Sequence, residues 1–556
     1  MERPALDHIT ASIRQGIITG LVGPDAAGKT TLIRLMAGLL MPTTGDVQVM
    51  GLDTIKDADR LHEIIGYMPQ KFGLYEDLTV IENLNLFADL HDLKGKEREA
   101  AFQDMLQFTS LKPFIFRLAG NLSGGMKQKL GLACSLLGHP KVLLLDEPSV
   151  GVDPLSRREL WKMVQQLVHH GMTVLWSTSY LDEADQCEEV LLLNEGELLF
   201  YGPPKELTKR VEGQVFQVDV PLKSRRAFLK KLLSQPDIID GTIQGSKIRL
   251  VVSSSFHPNS NDSHLYLTKP RFEDAFIDIL GGGPGGESVL ADKISQKKGN
   301  DIPPVQAEHL TKKFGNFTAA NNISFTINRG EVFGLLGPNG AGKSTVFKML
   351  CGLLQPTEGK ALVSGFDLKV ASSEARARIG YMAQKFSLYS DLSVEENLDF
   401  FSGVYGLIGQ TRKMKIEEMV TIFNLSPYLN DNAGLLPLGF KQRLALACAV
   451  MHDPDVLFLD EPTSGVDPIT RREFWTHING MVEKGVTIMV TTHFLEEAEY
   501  CDRISLIYQG MSISSGTPDA LKESVKTKEM PNPTLEDAFI TLIEQIDAKE
   551  EKERAG

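Results

Sequence analysis

Gly337-Pro338-Asn339-Gly340-Ala341-Gly342-Lys343-Ser344 is the stretch that decides the fold, because it fits the pattern G-x-x-x-x-G-K-[S/T]. An apolar, β-rich run (332–336) precedes it and a helical pattern follows it, which is the context that the pattern requires. In such a strand–loop–helix unit, backbone N–H groups wrap phosphates at the helix N-terminus and the lysine reaches the terminal phosphates. The stretch therefore predicts an α/β nucleotide-binding domain. In this domain Ser344 places a hydroxyl on Mg²⁺, and the next residue, Thr345, is expected to bind ATP.

A second copy of this stretch lies 314 residues earlier, at Gly23-Pro24-Asp25-Ala26-Ala27-Gly28-Lys29-Thr30, and Thr31 follows it. The offset of 314 holds without a gap for every later motif as far as Leu207 and Leu521. Two matches in register, each between a strand and a helix, leave a chance match negligible. The chain is therefore expected to contain two homologous domains in tandem, with Thr30 as the Mg²⁺ ligand of the first.

The composition is that of a globular protein, with 42 % hydrophobic and 23 % charged residues in a chain of 556. A net charge of −14 argues against a protein that coats nucleic acid, because such proteins need a basic surface. No apolar stretch approaches the ~20 residues that span a bilayer, and no secretory signal opens the chain. Four of the five cysteines repeat at the same offset, Cys134 with Cys448 and Cys187 with Cys501, which indicates small core residues in a reducing, cytosolic compartment.

Each copy also contains an apolar run that ends in two acids, Asp146-Glu147 and Asp460-Glu461, 117 residues after its lysine. Such a run predicts a buried parallel strand with carboxylates at its C-terminal end. There the aspartate can hold Mg²⁺ through water, and the glutamate can accept a proton from the water that attacks the phosphate. ATP and Mg²⁺ are therefore the expected ligands of both copies.

The stretch Leu122-Ser123-Gly124-Gly125-Met126-Lys127-Gln128 separates this chain from other phosphate-loop ATPases. It resembles the signature sequence of the nucleotide-binding domains of ATP-binding-cassette (ABC) proteins, and the resemblance covers nearly the whole chain. Physically, Ser123, Gly124 and Gly125 suit a helix N-terminus whose amides face a γ-phosphate bound on another domain. The resemblance implies an α/β fold with two phosphate-loop NTPase (ABC-type) domains in tandem, each with an α-helical signature subdomain.

Two further pairs of residues match loops of the same family. Gln70 and Gln384 match its glutamine loop, which the resemblance implies touches Mg²⁺ and senses a membrane partner. Asp153 and Asp467, each in a Gly-Val-Asp-Pro stretch, match its aspartate loop. The coupling surface is accordingly expected near residues 71–83 and 385–397, for which a plain packed loop is the alternative.

Two residues of the second copy have no counterpart in the first. His493 matches the family's switch histidine, which would contact the γ-phosphate, whereas the first copy has Ser179 at that position. Phe314 lies 23 residues before Gly337, where the family places an aromatic for adenine to stack on. The residue equivalent to Phe314 in the first copy would precede Met1, so we expect a missing N-terminal strand. Either Met1 is a false start, which we favour, or the domain tolerates the loss.

Other substitutions weaken the signature of the second copy and the phosphate loop of the first. The second signature carries Pro437 and Leu438 where the first has serine and glycine. Proline has no backbone N–H to donate, and the leucine side chain prevents a phosphate from approaching the backbone closely. Phe440 stands where the first copy has methionine. In the first phosphate loop, the carboxylate of Asp25 lies beside a triphosphate, which is unfavourable, and Ala26 replaces a glycine.

These substitutions fall at one shared site if the two domains pair with each other head to tail, as the resemblance implies. One site then combines the intact residues, and the other combines the altered ones. The hydrolytic site would contain Lys343, Asp460, Glu461 and His493 with Ser123–Gly125; the degenerate site would contain Lys29, Asp146, Glu147 and Ser179 with Leu436–Phe440. Because Glu147 remains, some turnover at the degenerate site stays open.

The motifs divide the chain into five parts. The two ABC domains are expected at 1–210 and 304–525, a small α+β appendage of the first half at 211–280, a flexible Gly/Pro-rich linker at 281–303, and a C-terminal extension with a solvated tail at 526–556. The extensions of both halves end in Glu-Asp-Ala-Phe-Ile segments around Phe276 and Phe539. They resemble extensions of drug-exporter ATPases, and a spacer that packs on its own domain is the equal alternative for the appendage.

The resulting hypothesis is an ATPase that energises export through separate integral membrane permease subunits, two in number. It would lie peripherally on the cytoplasmic face of the inner membrane and would bind no nucleic acid. A soluble tandem-cassette ATPase that acts on ribosomes is the main alternative, although that class tends to carry a basic helical linker and two intact signatures. An importer ATPase is a further alternative, and the transported substrate is not encoded in this chain.

Overall fold

The computed structural model describes residues 4–70, 73–258, 265–297, 302–370, 372–384 and 388–555. The chain forms two compact units, one of Met1–Glu212 with Lys269–Gly281 and one of Gly213–Thr268 with Gly282–Gly556. Met1, at which a false start was expected, lies outside the described residues. None of the helices in the described part of the chain is long and apolar enough to cross a bilayer.

The first unit alternates strands and helices as far as residue 208. Its strands are β1 (Ile18–Val22), β2 (Gln48–Val49), β3 (Leu52–Asp53), β4 (Ile65–Met68), β5 (Val142–Asp146), β6 (Thr173–Thr178), β7 (Glu189–Asn194) and β8 (Glu197–Gly202). Its helices are α1 (Lys29–Met36), α2 (Ala58–His62), α3 (Val80–Leu90), α4 (Gly95–Phe108), α5 (Gly124–Leu136), α6 (Pro154–His169), α7 (Leu181–Gln186) and α8 (Pro204–Thr208).

The next part of the chain contributes elements to both units. A four-stranded antiparallel sheet of the described residues consists of β9 (Val215–Asp219), β10 (Ile238–Gln244), β11 (Lys247–Val252) and β12 (Leu265–Leu267), with α9 (Arg225–Leu233) after its first strand. Helix α10 (Phe272–Ile279) belongs to the first unit, and α11 (Val289–Lys293) belongs to the second.

The second cassette occupies the remainder of the second unit. Its strands are β13 (Val305–Phe314), β14 (Phe317–Ile327), β15 (Val332–Leu336), β16 (Glu358–Val363), β17 (Phe366–Asp367), β18 (Ile379–Met382), β19 (Val456–Asp460), β20 (Thr487–Thr491), β21 (Arg503–Tyr508) and β22 (Met511–Gly516). Its helices are α12 (Lys343–Leu350), α13 (Ser372–Arg376), α14 (Val394–Val404), α15 (Gly409–Ile422), α16 (Leu438–Val450), α17 (Pro468–Glu483), α18 (Leu495–Ala498), α19 (Pro518–Ser524) and α20 (Leu535–Ala555).

Each unit contains a mixed sheet that is parallel except at one edge. The strand orders among the described residues are β4-β5-β6-β1-β7-β8 and β18-β19-β20-β15-β21-β22, and only the last pair of each is antiparallel. The central strands β1, β5, β15 and β19 are buried at every position, as expected of parallel strands covered on both faces. Because parallel strands end at the same edge, the phosphate loop after β1 or β15 lies near the acids that end β5 or β19.

A helical subdomain is inserted between β4 and β5, and another between β18 and β19. In the first unit, α3 and α5 pack together around Val80, Leu84 and Leu130. In the second, α14 and α16 pack around Val394, Leu398 and Leu444. The expected architecture of a parallel-sheet domain with an α-helical subdomain is confirmed for both halves.

The two units differ in their antiparallel strands. The second unit carries a sheet of order β14-β13-β16-β17, whereas residues 4–17 of the first unit form no strand and only β2 pairs with β3. Residues around Ala5 nevertheless run past Gly28, just as residues around Ala319 run past Gly342.

The appendage attaches to the second cassette through the start of α9. Arg225 is fully buried and donates to four acceptors: the carbonyl oxygens of Gly245, Tyr500 and Cys501 at 2.5, 2.9 and 2.9 Å, and Asp502 Oδ1 at 3.0 Å. Arg226 donates to Asp502 Oδ2 at 2.8 Å. The structure thus differs from the expected appendage of the first half at 211–280, because the acceptors of these arginines lie in the second cassette.

The predicted linker is also more structured than expected. Ser288 caps α11, which packs on α17 at Gly480, where a Cβ would lie 2.7 Å from Ala291 Cβ. Lys297 Nζ then donates to the Asp453 carbonyl oxygen at 2.6 Å. Residues 282–297 are therefore fixed to the second cassette by specific contacts, and residues 298–301 lie outside the described residues.

The C-terminal segments of the two halves pack in equivalent places. In the first unit, Phe276 of α10 is fully buried, and α10 contacts α7 and α8. In the second, Phe539 of α20 is 2 % exposed, and α20 contacts α18 and α19. The side chains after Lys549, in the expected solvated tail, lie outside the described residues.

Candidate nucleotide sites

The second phosphate loop is folded around its lysine. Lys343 Nζ donates to the carbonyl oxygens of Gly337 at 2.7 Å and Pro338 at 3.0 Å. Gly342 has a φ of 104°, and a Cβ there would lie 2.2 Å from the Ala319 carbonyl oxygen, so a residue other than glycine does not fit. Helix α12 begins at the lysine, and its first amides therefore face the space enclosed by the loop.

The first phosphate loop has the same shape with one strained residue. Lys29 Nζ donates to the carbonyl oxygens of Gly23 at 2.8 Å and Pro24 at 3.1 Å. Ala26 has a φ of 62° where Gly340 has a φ of 82°. This left-handed conformation costs about 1 kcal/mol for a residue with a Cβ. The strain at Ala26 and the negative charge of Asp25 therefore both disfavour triphosphate binding by this loop.

The acids that end β19 lie in different surroundings. Asp460 accepts a hydrogen bond from the Thr491 hydroxyl, and burial raises the pKa of Asp460. Glu461 Oε2 lies 2.7 Å from Gln384 Nε2 and 3.1 Å from His493 Nδ1. Burial opposes ionisation of Glu461, but the neighbouring His493 together with Lys343 and Gln384 lowers its pKa to about 2. Glu461 is therefore a carboxylate at neutral pH.

The equivalent acids of the first unit have fewer partners. Burial raises the pKa of Asp146, and the nearby Thr30 hydroxyl opposes this shift. Glu147 lies 3.5 Å from Lys29 Nζ and 3.4 Å from Gln70 Nε2. The hydroxyl of Ser179, at the position of His493, is buried and makes no hydrogen bond within the described part of the chain.

Both glutamates sit on a backbone that points them away from the strand. Glu147 has a φ of 51° and Glu461 a φ of 50°, in the left-handed region that residues with a side chain seldom adopt. Their backbone N–H groups donate to the carbonyl oxygens of Ser177 at 3.1 Å and Thr491 at 3.0 Å. Strain of this kind is retained where a side chain must be held in one direction, and no residue pattern indicated it.

The residues present fit a Mg²⁺ ion shared with phosphates. Within the described residues, no three acidic, histidine or cysteine side chains cluster as an all-protein metal cage. The buried carboxylate of Asp146 interacts with the Thr30 hydroxyl, and Asp460 and Ser344 stand at the equivalent positions of the second copy. A hard cation there would complete its shell with phosphate oxygens and water, as Mg²⁺ prefers.

The two signatures begin their helices differently. Ser123 caps α5 and accepts a hydrogen bond from Met126 N at 3.3 Å. Pro437 occupies the same position before α16 and makes no side-chain cap, and the partly buried side chain of Leu438 follows it. Only the first signature therefore offers a serine hydroxyl and two glycine amides at a helix N-terminus.

The aspartates of the predicted aspartate loops cap helices, and the aromatic predicted to stack on adenine is exposed. Asp153 caps α6 and accepts from Ser156 N at 3.1 Å, and Asp467 caps α17 and accepts from Thr470 N at 3.0 Å. Phe314 ends β13 with 50 % of its surface exposed, and Lys312 Nζ lies 5.3 Å from its ring centre. An exposed ring of this kind is available for a base to stack on.

The predicted coupling segments are held by buried asparagines. Asn83 is fully buried and donates to the carbonyl oxygens of Tyr75 at 3.0 Å and Thr79 at 3.0 Å. Asn397 makes the equivalent bonds to Tyr389 and Ser393. Tyr75 and Tyr389 are 59 % and 50 % exposed on these fixed turns. Residues 71–72 and 385–387 of the same segments lie outside the described residues.

Sequence reasoning missed a second pair of acidic residues. Glu183 in α7 and Glu497 in α18 are 3 % and 1 % exposed, and each accepts hydroxyl hydrogen bonds from two neighbouring loops. Both stand in acidic segments that resemble a solvated helix surface. The only signal was their recurrence at the offset of 314 between apolar neighbours.

Comparison with known proteins adds to this geometry. The sequence model of the family described as "ABC transporter" matches residues 6–150 and 320–464. This chain belongs to the ABC transporter family. It is an ABC ATPase with two cassettes, and the expectations of family, fold class and ATPase activity are confirmed.

Similar proteins match the chain to different extents. It is 58 % identical over 561 residues to "Probable multidrug ABC transporter ATP-binding protein YbhF" of Escherichia coli (strain K12), which covers 100 % of this chain and 97 % of that protein. It is 41 % identical over 224 residues to "Nod factor export ATP-binding protein I" of Burkholderia lata, covering 40 % of this chain and 74 % of that protein.

One solved structure resembles the chain over most of its length. It is the complex of the archaeal ribosomal stalk protein aP1 with the archaeal ribosome recycling factor aABCE1, with a TM-score of 0.58, 20 % identity, and coverage of 94 % of this chain and 92 % of that chain. A likeness at this identity concerns the tandem-cassette fold alone.

Proposed function

We propose that this chain is the ATP-hydrolysing subunit of a multidrug-type exporter whose membrane-spanning part consists of separate permease subunits, two in number. The full-length similarity to a probable multidrug transporter ATP-binding protein supports this proposal. The subunit would bind peripherally at the cytoplasmic face of the inner membrane. The fixed turns around Tyr75 and Tyr389 would receive the permeases, because each presents an exposed aromatic ring on a rigid base.

Hydrolysis would take place mainly at the phosphate loop of Lys343. Glu461 is ionised and lies at hydrogen-bond distance from His493 and Gln384, so it would hold the attacking water in line with the γ-phosphate. Its low pKa suits orientation of water more than early removal of a proton, as a loose phosphoryl transition state requires little base catalysis. Lys343 would stabilise the charge on the leaving phosphate oxygens.

ATP would be held by both cassettes together with Mg²⁺. Bound Mg²⁺ would neutralise charge on the β- and γ-phosphates. Ser344, Asp460 and Gln384 would hold the ion in the second cassette, and Thr30, Asp146 and Gln70 in the first. Phe314 would stack on the adenine of the second site.

We propose that the two cassettes pair within the chain, so that Ser123–Gly125 completes the site of Lys343 and Pro437–Gly439 faces the site of Lys29. Loss of one transition-state donor typically slows a reaction about 10²–10³-fold. The site of Lys29 lacks the switch histidine and a signature serine, so it would retain ATP and turn over slowly. The contrast between His493, which lies 3.1 Å from Glu461, and the buried Ser179 hydroxyl, which makes no hydrogen bond within the described residues, carries this proposal.

The experiment is a comparison of Glu461→Gln with Glu147→Gln in the full chain. We expect Glu461→Gln to lower kcat about 10²-fold or more, because a neutral amide replaces the anionic acceptor of the water, whereas Glu147→Gln should cause a much smaller loss. Both variants should still bind ATP, measured by equilibrium nucleotide binding. Comparable losses of phosphate release in the two variants would falsify the asymmetric model.

The membrane assignment is tested separately. Affinity purification of the full chain from membranes should recover integral membrane proteins in a fixed ratio of two per chain. Cofractionation with ribosomes instead would support the tandem-cassette alternative. The likeness to the ribosome recycling factor does not favour that alternative, since it extends to the fold alone.

A further inference from the structure

Glu497 is a buried acid that has no part in the site described above. It lies in α18 with 1 % of its surface exposed. Its Oε2 accepts a hydrogen bond from Thr492 Oγ1 at 2.8 Å, and its Oε1 accepts one from Thr463 Oγ1. Burial of a carboxylate is unfavourable unless it is well partnered, so these contacts require an explanation.

The contact with Thr492 fixes the turn that carries His493. The Thr492 hydroxyl donates to Glu497 and also accepts from Phe494 N at 2.9 Å. One hydroxyl therefore bridges the residues on either side of His493 and ties them to α18. With the turn fixed in this way, His493 Nδ1 lies 3.1 Å from Glu461 Oε2.

The other oxygen reaches the segments that follow the catalytic glutamate. Thr463 stands two residues after Glu461. Arg471 of α17 places Nε 3.5 Å from Glu497 Oε1 and donates from Nη2 to the Val466 carbonyl oxygen at 3.3 Å. Its guanidinium also lies 4.3 Å from the ring centre of Phe494. Glu497 thus joins the strand end with Glu461, the aspartate loop and the histidine turn.

The first unit contains the same arrangement without the histidine. Glu183 Oε2 accepts from Ser149 Oγ at 2.8 Å, Thr178 Oγ1 at 2.6 Å and Trp176 Nε1 at 2.8 Å. Thr178 Oγ1 accepts from Tyr180 N at 2.9 Å, which closes the turn around Ser179. The two glutamates are therefore matched in burial and in accepting from two hydroxyls of neighbouring loops, although the Trp176 donor of Glu183 is replaced by Val490 in the second unit. They also differ in what the turn presents to the nucleotide.

We propose that Glu497 is a positioning residue for ATP hydrolysis, which acts by holding His493 at hydrogen-bond distance from Glu461. The proposal rests on the proposed function only in that hydrolysis is assigned mainly to the site of Lys343. Glu497 itself touches neither substrate nor the reacting atoms. Its effect on the reaction therefore depends on the presence of His493.

The test begins with Glu497→Gln, which keeps the size of the side chain and removes its charge. We expect kcat to fall about tenfold with KM for ATP changed by less than about threefold, because a misplaced histidine affects the transition state more than binding. Thr492→Val, which deletes the bridging hydroxyl and keeps the shape, should have the same effect. Glu183→Gln is the matched control, and it should change kcat by less than about twofold.

A double-mutant cycle with His493→Ala distinguishes positioning from general destabilisation. In single-turnover phosphate release, Glu497→Gln should slow the His493→Ala chain by less than about twofold, since the residue through which it acts is already gone. In histidine-ring NMR spectra, the resonance that disappears in His493→Ala should shift in Glu497→Gln. A further loss of about tenfold in the His493→Ala background, or an unshifted resonance, would overturn the proposal.

Failure of the proposed function would be visible independently. If Glu461→Gln and Glu147→Gln lose activity equally, the assignment of hydrolysis to one site is wrong. The His493 resonance belongs to the second unit alone, so it reports on Glu497 in either case, whereas the cycle reports on Glu497 when the site of Lys343 carries most of the hydrolysis. A loss of kcat in Glu183→Gln equal to that in Glu497→Gln, with Glu147→Gln retaining most activity, would contradict the positioning role.

Discussion

Arg225 shows how one side chain can join a small domain to a larger one. The guanidinium is fully buried, and it donates to the Gly245 carbonyl oxygen within the appendage. Its other three acceptors are oxygens of residues 500–502, which follow α18 in the second cassette. One of these acceptors, Asp502, also accepts from Val332 N through its other oxygen at 2.8 Å. The same carboxylate therefore contacts the appendage and the strand that leads to the phosphate loop.

Arg225→Ala is expected to destabilise the second unit by about 3–5 kcal/mol, because several buried carbonyl oxygens and the Asp502 carboxylate each lose one donor. The measurement is chemical unfolding followed by Trp475 fluorescence in a chain whose other tryptophans, Trp161 and Trp176, are replaced by phenylalanine. Lys223→Ala, two residues earlier on the exposed surface, is the control and should change stability by less than about 0.5 kcal/mol. A loss below about 1 kcal/mol for Arg225→Ala would show that the contact contributes little to docking.

At the scale of an element, α17 packs against the linker helix α11, and it begins directly after Asp467 of the aspartate loop. His477 lies on this helix, 7 % exposed, with Nδ1 at 3.0 Å from Ser288 Oγ of the linker. Burial, and the nearby positive charge of Arg443, lower the pKa of His477 to about 4. The first copy has Met163 at the equivalent position, so the histidine accompanies the docked linker.

This shift predicts an acid-sensitive contact. The unfolded chain would titrate His477 near its ordinary pKa of about 6.5, so between about pH 6.5 and 4 the unfolded state binds a proton that the folded state does not. The stability is therefore fully present above about pH 6.5 and is lost as pH falls towards 4, by about 2 kcal/mol at pH 5. His477→Met should remove the contribution of this histidine to the loss of stability at acid pH.

The measurement is the free energy of unfolding of the second unit at pH 7.5 and pH 5, again reported by Trp475. His452 also has its pKa lowered to about 4 by burial, so His477→Met should reduce the acid loss without abolishing it. His477→Met combined with His452→Gln should flatten the profile further. If the free energy of unfolding changes equally between pH 7.5 and pH 5 in the wild type and in His477→Met, His477 does not cause the acid sensitivity.

Elements whose form is set by neighbouring residues could be predicted from the sequence, and those that depend on distant partners could not. The strand, loop and helix around Lys343 follow one another in the chain, and a buried apolar strand before Asp460 is a local pattern. The attachment of α9 and α11 depends on Asp502 and Gly480, more than 180 residues away. A Gly- and Pro-rich stretch therefore indicated a flexible linker where specific contacts exist.

The same distinction applies within the candidate site. The lysines, acids and His493 stand at spacings that identify them, and their roles remain predictions for the variants above. The left-handed backbone of Glu147 and Glu461, the strain at Ala26 and the burial of Glu497 were not predictable, because each depends on how several strand ends meet. The asymmetry between the copies was visible in sequence because the gapless repeat supplies a reference for each substitution.

At the scale of the whole molecule, the fusion of two unequal cassettes has a kinetic consequence. If the signature Ser123–Gly125 completes the site of Lys343 within the same chain, pairing is unimolecular and independent of protein concentration. The linked partner acts at an effective concentration that dilution does not change. Cassettes that pair between chains would instead separate on dilution.

The specific ATPase activity of the purified chain is therefore expected to stay constant, within about twofold, from micromolar to low nanomolar concentration.

A mixing experiment gives the complementary test. Lys343→Ala loses the phosphate-loop lysine of the hydrolytic site, and Ser123→Ala combined with Gly124→Leu loses its signature, so each variant alone should have little activity. Pairing within the chain predicts that an equimolar mixture stays equally inactive, since neither chain contains a complete site. Recovery of activity in the mixture, or a specific activity that falls in proportion to dilution, would mean that the hydrolytic site forms between two chains.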